Sequence, residues 1–419
     1  MVFKDHQTDF GDWKRNFSLL ILDVAFYSSA ISFADASIIS VFVIKATGSI
    51  FLVGLLQMLR TAFFFIPQIL SMNISGKTNK ISILKWTSLG RSCLIIASLA
   101  ALLTDDLTII TVSFFISLTL FHLCDGFTIV PWLDLITQSI PPYRRGTFFG
   151  VSGFVGSSVQ VISGVIISRV LENSALIFPK NYGTLILIEL VIMICGLPAI
   201  FFVKEKEDDE DQSEPESLMT IIRKIPNIIR EDTMIKMLII TQLLISFYSL
   251  ATPFYSVYTL STLGLKDTIV GYFLSAQMFG RLAFSFLWAH FCNTGRHQQI
   301  IQLTSVLYLT SLFLMLILGL VSLPEEVVTY GVIASFTLTG AAMNGMWIGS
   351  NTYIMETSKM DRRPILLGFL NSLNVLTSIL TLLGGYMLGY LSYEVIFLLA
   401  IIPLSISLLI VSNLRKKII

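Results

Sequence analysis

The sequence predicts an all-α membrane protein, with twelve transmembrane helices arranged as two pseudo-symmetric six-helix halves. Three observations carry this reading. Hydrophobic residues make up 54% of the chain, charged residues only 13%, and mean hydropathy is +0.79, whereas a soluble domain carries about 25% charged residues. A basic segment occurs twice, as Arg144-Arg145-Gly146-Thr147-Phe148-Phe149-Gly150 and as Arg362-Arg363-Pro364-Ile365-Leu366-Leu367-Gly368, with the copies 218 residues apart. Each copy follows one long apolar stretch and opens another, so it marks the same place in two related halves.

A helix needs about 20 largely apolar residues to cross the hydrocarbon layer. Such stretches fill 17–43, 50–72, 86–104, 108–132, 147–170 and 184–203, then 234–261, 268–291, 300–321, 327–353, 365–389 and 392–413. All are expected to be helical, because an open sheet leaves its edge groups unsatisfied in lipid. Charges interrupt them on alternating sides. Lys14 and Arg15 precede the first span, Lys45 ends it, and Lys77, Lys80 and Lys85 fill the loop after the second. Arg144 and Arg145 divide the fourth from the fifth, Arg169 and Lys180 border the next loop, and Lys204 closes the sixth. In the second half Lys266, Arg296, the Lys359–Arg363 cluster and Arg415-Lys416-Lys417 play the same part.

The side holding the N-terminus carries twenty of these Lys and Arg residues and the opposite side four, Lys45, Arg169, Lys180 and Lys266. Cytoplasmic loops carry the basic excess. The expected arrangement is therefore a multi-pass protein of the cell membrane with both termini cytoplasmic, an even number of spans and no nucleic-acid surface. The first apolar run is too long for a signal-peptide core and lacks a small-residue cleavage site, so it should stay as the first span. Cys93, Cys124, Cys195 and Cys292 are isolated, without metal-ligand or redox spacing. Free thiols, no metal and no cofactor are expected.

The domain plan is an N-terminal half over 1–203, a cytoplasmic linker over 204–232 and a C-terminal half over 233–419. The linker opens with an acidic run, Glu205 to Glu214, whose like charges repel and keep it solvated. Leu218, Ile221, Ile222 and Ile225 then recur at helical spacing with Arg223 and Lys224 on another face, which suits a short helix on the membrane surface.

Over its full length this pattern resembles the major facilitator superfamily. The local match is Gly126-Phe127-Thr128-Ile129-Val130-Pro131-Trp132-Leu133-Asp134 with Pro142-Tyr143-Arg144-Arg145-Gly146, which looks like the end of that family's fourth helix and the loop after it. Val53-Gly54 and Val270-Gly271, opening the second and eighth spans, fit as well. The chain departs from the family in the loop after the second helix, where Met72-Asn73-Ile74-Ser75-Gly76-Lys77-Thr78-Asn79-Lys80 keeps basic positions and lacks the family's aspartate. The equivalent loop of the second half, through Asn293-Thr294-Gly295-Arg296, also has no acid. The resemblance then implies a cytoplasmic charge lock built on Asp134 with Lys77 or Arg145. Gly150, Gly153, Gly156 and Gly164 lack the proline of the Gly-Pro element of drug antiporters, and either close helix packing or a role toward the substrate accounts for them.

Ionisable residues inside spans are the candidates for mechanism, since each costs about 2.5–3.5 kcal/mol at a helix centre. Arg60 falls about 15 Å from the outer end of the second span, where it either binds an anionic group of a solute or pairs with an acid such as Asp35. Asp23, Arg91 and Asp125 share the cytoplasmic third of spans one, three and four. Two acids and one base make either a static bridge or a network with one carboxylate free to take up a proton. His122 precedes Asp125 by one turn. Arg281 reads as a snorkelling residue toward the cytoplasmic end of span eight, and Glu189 as a residue near the outer end of span six with no special role. Around Pro253, Tyr248, Tyr255 and Tyr258, with Asn344, Trp347, Asn351, Asn371 and Asn374 of spans ten and eleven, either line a polar cavity or bond helix to helix.

The expected function is secondary active transport of a small organic solute by alternating access, coupled to H+ or Na+, in a monomer that needs only the lipid bilayer and its solute. Substrate binding falls to Arg60, Tyr255, Asn344, Trp347, Asn371 and Asn374. Coupling or gating falls to Asp23, Asp35, Arg91, Asp125, Asp134, Arg144, Arg145, Arg362 and Arg363. No phosphate-binding glycine loop is present, so the chain is not expected to be an enzyme that hydrolyses ATP. The alternative is a non-transporting sensor or lipid-handling protein on the same scaffold.

Overall fold

The protein is described by a computed structural model covering residues 12–75, 80–204, 230, 233–357 and 363–414. The expected surface helix around 218–225, Lys77 and Arg362 lie outside the described residues. All elements among the described residues are helices: α1 (Trp13–Ser32), α2 (Ala36–Thr47), α3 (Ile50–Ser75), α4 (Lys80–Gly90), α5 (Leu94–Leu103), α6 (Leu107–Ser139), α7 (Pro142–Glu172) and α8 (Lys180–Phe201) in the first half. The second half holds α9 (Thr233–Ile245), α10 (Tyr255–Ser261), α11 (Val270–Asn293), α12 (His297–Leu320), α13 (Glu325–Thr357), α14 (Arg363–Met387) and α15 (Tyr393–Leu414). They assemble into twelve antiparallel rods, ten of which are long and apolar enough to cross a membrane among the described residues. In α11 the run of Ser275, Gln277, Arg281 and Ser285 lowers the hydropathy.

Three of the rods that the pattern draws as single spans are broken. The first parts at Phe33–Asp35, where the Asp35 Oδ1 accepts from the Ser37 amide at 2.9 Å and the Ser37 hydroxyl at 2.6 Å. That is an N-cap restarting the chain as α2. The third parts at a 3-10 turn, Arg91–Cys93, and the seventh at two such turns, Ser246–Leu250 and Thr252–Phe254. Pro253 lacks an amide proton to continue a helix. Irregular backbone at membrane depth survives only inside protein or beside a cavity. Phe33, Ala34, Leu250 and Phe254 are accordingly buried.

Two helices overshoot. Both α6 and α13 run 33 residues, about 50 Å at 1.5 Å per residue, against a hydrocarbon layer of about 30 Å. Because α6 continues to Ser139 rather than ending near 132, Asp134 sits on a helix and not in the loop.

Within the first half α3 packs on α6, and α8 on α1 and α5; within the second α13 packs on α11 and α12. The halves meet along two crossings, α3 with α14 and α7 with α11. Both crossings rest on glycine. A Cβ on Gly54 would come within 3.0 Å of the Gly385 Cα, and one on Gly271 within 2.6 Å of the Ser168 amide nitrogen. Helix backbones approach this closely only where side chains are absent. Gly54, Gly385 and Gly271 lie within about five residues of their helix ends, all on the face opposite the N-terminus. The same face carries the Lys45–Asp267 ion pair between the halves and the Ser40 hydroxyl donating to the Pro253 carbonyl at 3.2 Å. Slightly deeper, the Ser275 hydroxyl donates to the Val161 carbonyl at 2.9 Å.

On the N-terminal face Lys204 bonds Asp12 at 2.7 Å and Asn16 holds the Lys204 backbone. The Lys204 ammonium keeps the Asp12 carboxyl below its ordinary range, and α1 is thereby pinned to the end of α8.

Candidate translocation site

Charged side chains at membrane depth form two groups. The first is built where α1, the 3-10 turn after α4, and α6 converge. The turn presents Arg91, whose Nη2 donates to Asp125 Oδ1 at 2.6 Å, and α1 presents Tyr27, whose hydroxyl donates to Asp125 Oδ2 at 2.6 Å. The guanidinium also lies over the Tyr27 ring, 5.2 Å from its centroid, a cation–π contact. Asp125 thus has a donor on each oxygen, the fixed member of the group. Asp23 stands apart from it, accepting at 3.0 Å from the Trp132 indole. A small cavity lined by Asp23, Tyr27, Ser88, Arg91, Met193 and Gly196 adjoins the network. Ser88 Oγ and Arg91 Nε, both buried, bond to no protein atom, so the cavity wall is polar enough to suit a water molecule. The sequence brings these three ionisable residues to one depth; in the structure Asp23 and Arg91 line the cavity, and Asp125 is bonded to Arg91 beside it.

The second group centres on Arg60 of α3. Its Nε donates to His122 Nε2 at 2.9 Å, which requires a lone pair on that nitrogen and hence a neutral imidazole, and its Nη1 reaches Gln57 Oε1 at 3.4 Å. Gln57 is held in turn by its amide donating to the Ala36 carbonyl and the Ser40 hydroxyl, each at 2.9 Å. The expected partner Asp35 is within electrostatic reach of Arg60, but its bonded oxygen is engaged in capping α2 rather than in a bond to the guanidinium. His122 therefore belongs with Arg60 and not with Asp125.

Two residues that the linear pattern passes over take on weight. Glu189 lies well inside α8, wholly buried, and neither carboxylate oxygen has a hydrogen-bond donor. Arg281 lies at the middle of α11, with about equal lengths of helix on either side. Snorkelling, which needs a short reach to the interface, does not explain it. Asp35 is within electrostatic reach of Arg281 as well.

The remaining candidates divide between packing and exposure. Tyr255 is buried inside the second half, its hydroxyl 3.3 Å from that of Ser311 and its ring edge-on to Phe336 and Phe397. Tyr258 is buried with it, and the Tyr248 ring stacks on Tyr308 at 4.4 Å. These tyrosines bond helix to helix. Asn344 donates to the Arg281 carbonyl at 3.3 Å, tying α13 to α11 at the depth of the arginine. Trp347 is 64% exposed; Asn351 donates to its carbonyl at 2.6 Å. The Asn374 carbonyl accepts from Thr377, and the side chain of Asn371 lies outside the described residues.

At the N-terminal face Asp134 is half-buried near the end of α6. Arg145 turns back to donate to the Ile140 and Thr137 carbonyls, satisfying the C-terminus of α6 as a basic side chain does at a helix end. Arg144 is exposed, its guanidinium 5.7 Å from the Trp13 ring centroid. Arg363 opens α14 and its side chain, like Arg362, is outside the described residues.

Comparison with known proteins agrees with this architecture. Residues 237–417 match the model of the Major Facilitator Superfamily. No curated protein matches the sequence. Among solved structures the chain is similar to a mutant of the nucleoside transporter NupG, with TM-score 0.69 and 12% identity over 96% of this chain and 99% of that one. It is similar to a POT family transporter in complex with a thioalcohol-conjugated peptide, with TM-score 0.70 and 14% identity over 96% of each chain. It is also similar to a D-xylose-proton symporter, with TM-score 0.68 and 12% identity over 93% of this chain and 96% of that one. By sequence residues 237–417 match the Major Facilitator Superfamily, and by fold the chain is similar to these solved transporters along nearly its whole length.

Proposed function

We propose that the protein is a secondary active transporter that moves a small organic solute by alternating access, with the N-terminal, basic face on the cytoplasmic side of the cell membrane. The match of residues 237–417 to the Major Facilitator Superfamily and the shared fold support a membrane transporter rather than an enzyme. The observation that carries the reading is the asymmetric seam between the halves. The glycine crossings and the Lys45–Asp267 pair gather toward one face, as expected of a carrier shut on that side with its halves free to rock about the middle. A static scaffold would gain by joining its halves along their whole height.

The coupling ion we propose is a proton, taken up at Asp23. Asp125 is saturated by Arg91 and Tyr27 and acts as a fixed counter-charge. Asp23 keeps a single donor, Trp132, and lines the polar cavity. Protonation of Asp23 leaves Arg91 with one anion instead of two, which changes the charge balance between α1, α4 and α6. The network joins α1, the 3-10 turn and α6 inside the first half, so the change is felt in the half that rocks.

The test is solute accumulation in proteoliposomes of the full chain under an imposed proton or sodium gradient. Accumulation that follows the proton gradient and is lost when a protonophore collapses it supports the reading. Accumulation following sodium alone would replace the ion, and absence of any gradient-dependent flux across a broad solute panel would overturn transport itself.

A further inference from the structure

We infer that the solute is an organic anion, a carboxylate or phosphate ester, clamped between Arg60 of the first half and Arg281 of the second. The inference rests on the transporter reading and adds the chemical class of its cargo. Arg60 lies 10 residues from the start of α3 and Arg281 11 from the start of α11. Both helices start at the same face, so the two guanidinium-bearing residues sit at nearly the same depth, about 15 and 16 Å from it. The Asp35 carboxylate acts electrostatically on both.

Neither arginine is satisfied by the protein. Among the described residues no carboxylate forms an ion pair with either one: Asp35 is turned to the cap of α2, and Glu189, also within reach of Arg60, is sealed inside the first half without a bond to it. Arg60 gives one bond to a neutral imidazole and one long bond to an amide oxygen. Arg281 gives one, at 3.7 Å, to the Met278 sulfur, a weak acceptor. A guanidinium has five donors in a rigid planar fork that matches carboxylate and phosphate oxygens two at a time. Most of the ten donors at this depth are therefore unspent. Carrying two cations to the membrane midplane is costly, and an anion shared between them offsets that cost.

The placement also accounts for motion. Arg60 and Arg281 belong to different halves, and the halves are already joined at the opposite face. An anion engaging both arginines draws the halves together deeper in the membrane, so binding itself favours occlusion. A neutral solute has no such grip, and Asn344, a neutral polar group at this depth, is engaged in tying α13 to α11.

The experiment is thermal stabilisation of the purified full chain in detergent, a binding measurement that needs no transport. The probes are matched pairs differing in charge, succinate against 1,4-butanediol and glucose 6-phosphate against glucose, with inorganic phosphate as a minimal anion. At millimolar concentration the anionic member of at least one pair should raise the melting temperature and its neutral partner should not. Arg60→Gln and Arg281→Gln should each weaken that stabilisation at least tenfold in probe concentration, while Arg60→Lys and Arg281→Lys, which keep the charge and lose the fork, fall between. Melting of the unliganded variants checks that they fold. Equal stabilisation by neutral partners, an unchanged response in both Gln variants, or no stabilisation by any anion overturns the anionic assignment. Gradient-driven flux of a neutral solute would leave transport standing while removing the clamp.

Discussion

Asp125, bonded to Arg91, and Asp23, which lines the cavity beside that pair, differ in what a neutral replacement does to them. Asp125 holds a buried guanidinium and a half-buried phenol, so Asp125→Asn leaves Arg91 in the interior without its anion. Breaking a buried pair in this way costs about 3–5 kcal/mol, and the expected outcome is a large drop in the melting temperature of the solubilised protein. Asp23→Asn still offers an oxygen to Trp132. Its stability should stay within about 0.5 kcal/mol of the parent, while gradient-driven accumulation disappears and solute exchange without a gradient persists. Accumulation at the parent rate in Asp23→Asn would remove Asp23 from the coupling path. Glu189 gives the opposite sign. A buried carboxyl with no donor to either oxygen carries an unrepaid desolvation penalty of about 1–3 kcal/mol, so Glu189→Met, similar in size and apolar, should raise the melting temperature. No change, or a fall, would mean that a bonded partner reaches Glu189 in another state of the cycle. Depth along a helix was legible for these residues, and it put Asp23, Arg91 and Asp125 together. Rotation about the helix axis was not legible, which is why His122 goes to Arg60 and why Glu189 passed for an ordinary residue near a helix end.

At the scale of elements, the apolar periods and flanking charges located every rod, because length and polarity are local properties of sequence. The breaks were harder to see. The one at Asp35 depends on a cap worth about 1 kcal/mol, too weak to register against a long apolar run, and the turn at Arg91–Cys93 exists to deliver a side chain to Asp125 across the bundle. The crossings illustrate the same divide. Val53-Gly54 and Val270-Gly271 were visible as a repeated pair, yet their partners Gly385 and Gly164 are far away in the chain and share no motif with them. The crossing makes a firm prediction. A side chain at Gly385 meets the Ile50 carbonyl and the backbone of Gly54 at 3.0–3.3 Å, and neither can give way without moving a helix. Gly385→Val should therefore part α3 from α14 and favour the state open to the opposite face. Labelling of a single cysteine at Ser40 by an impermeant maleimide should speed up in that variant; an unchanged rate would mean that the crossing does not hold this face shut.

For the molecule as a whole, the proposed alternating-access cycle lets the seam between the halves set the balance between two access states, with the Lys45–Asp267 pair its most adjustable part. The two side chains are 35% and 25% exposed, so water and salt screen them and the pair contributes about 0.2–1 kcal/mol. That is too little to hold a fold together. It is enough to move a conformational equilibrium by a factor of about 1.4 to 5, which is the range in which a gate must work if the carrier is to open again. Lys45→Glu, which sets two acids against each other, should shift the population toward the state open at this face without lowering the melting temperature by more than a few degrees. Adding Asp267→Lys should restore the parent distribution by rebuilding the pair with its charges exchanged, and high salt should shrink the difference between parent and single variant. The measurement is the distance between spin labels on α2 and α10, one in each half. Restoration in the double variant assigns the seam its gating role through charge. A double variant as open as the single one would assign the closure to the glycine crossings alone, leaving the ion pair as a surface contact that follows the motion rather than biasing it.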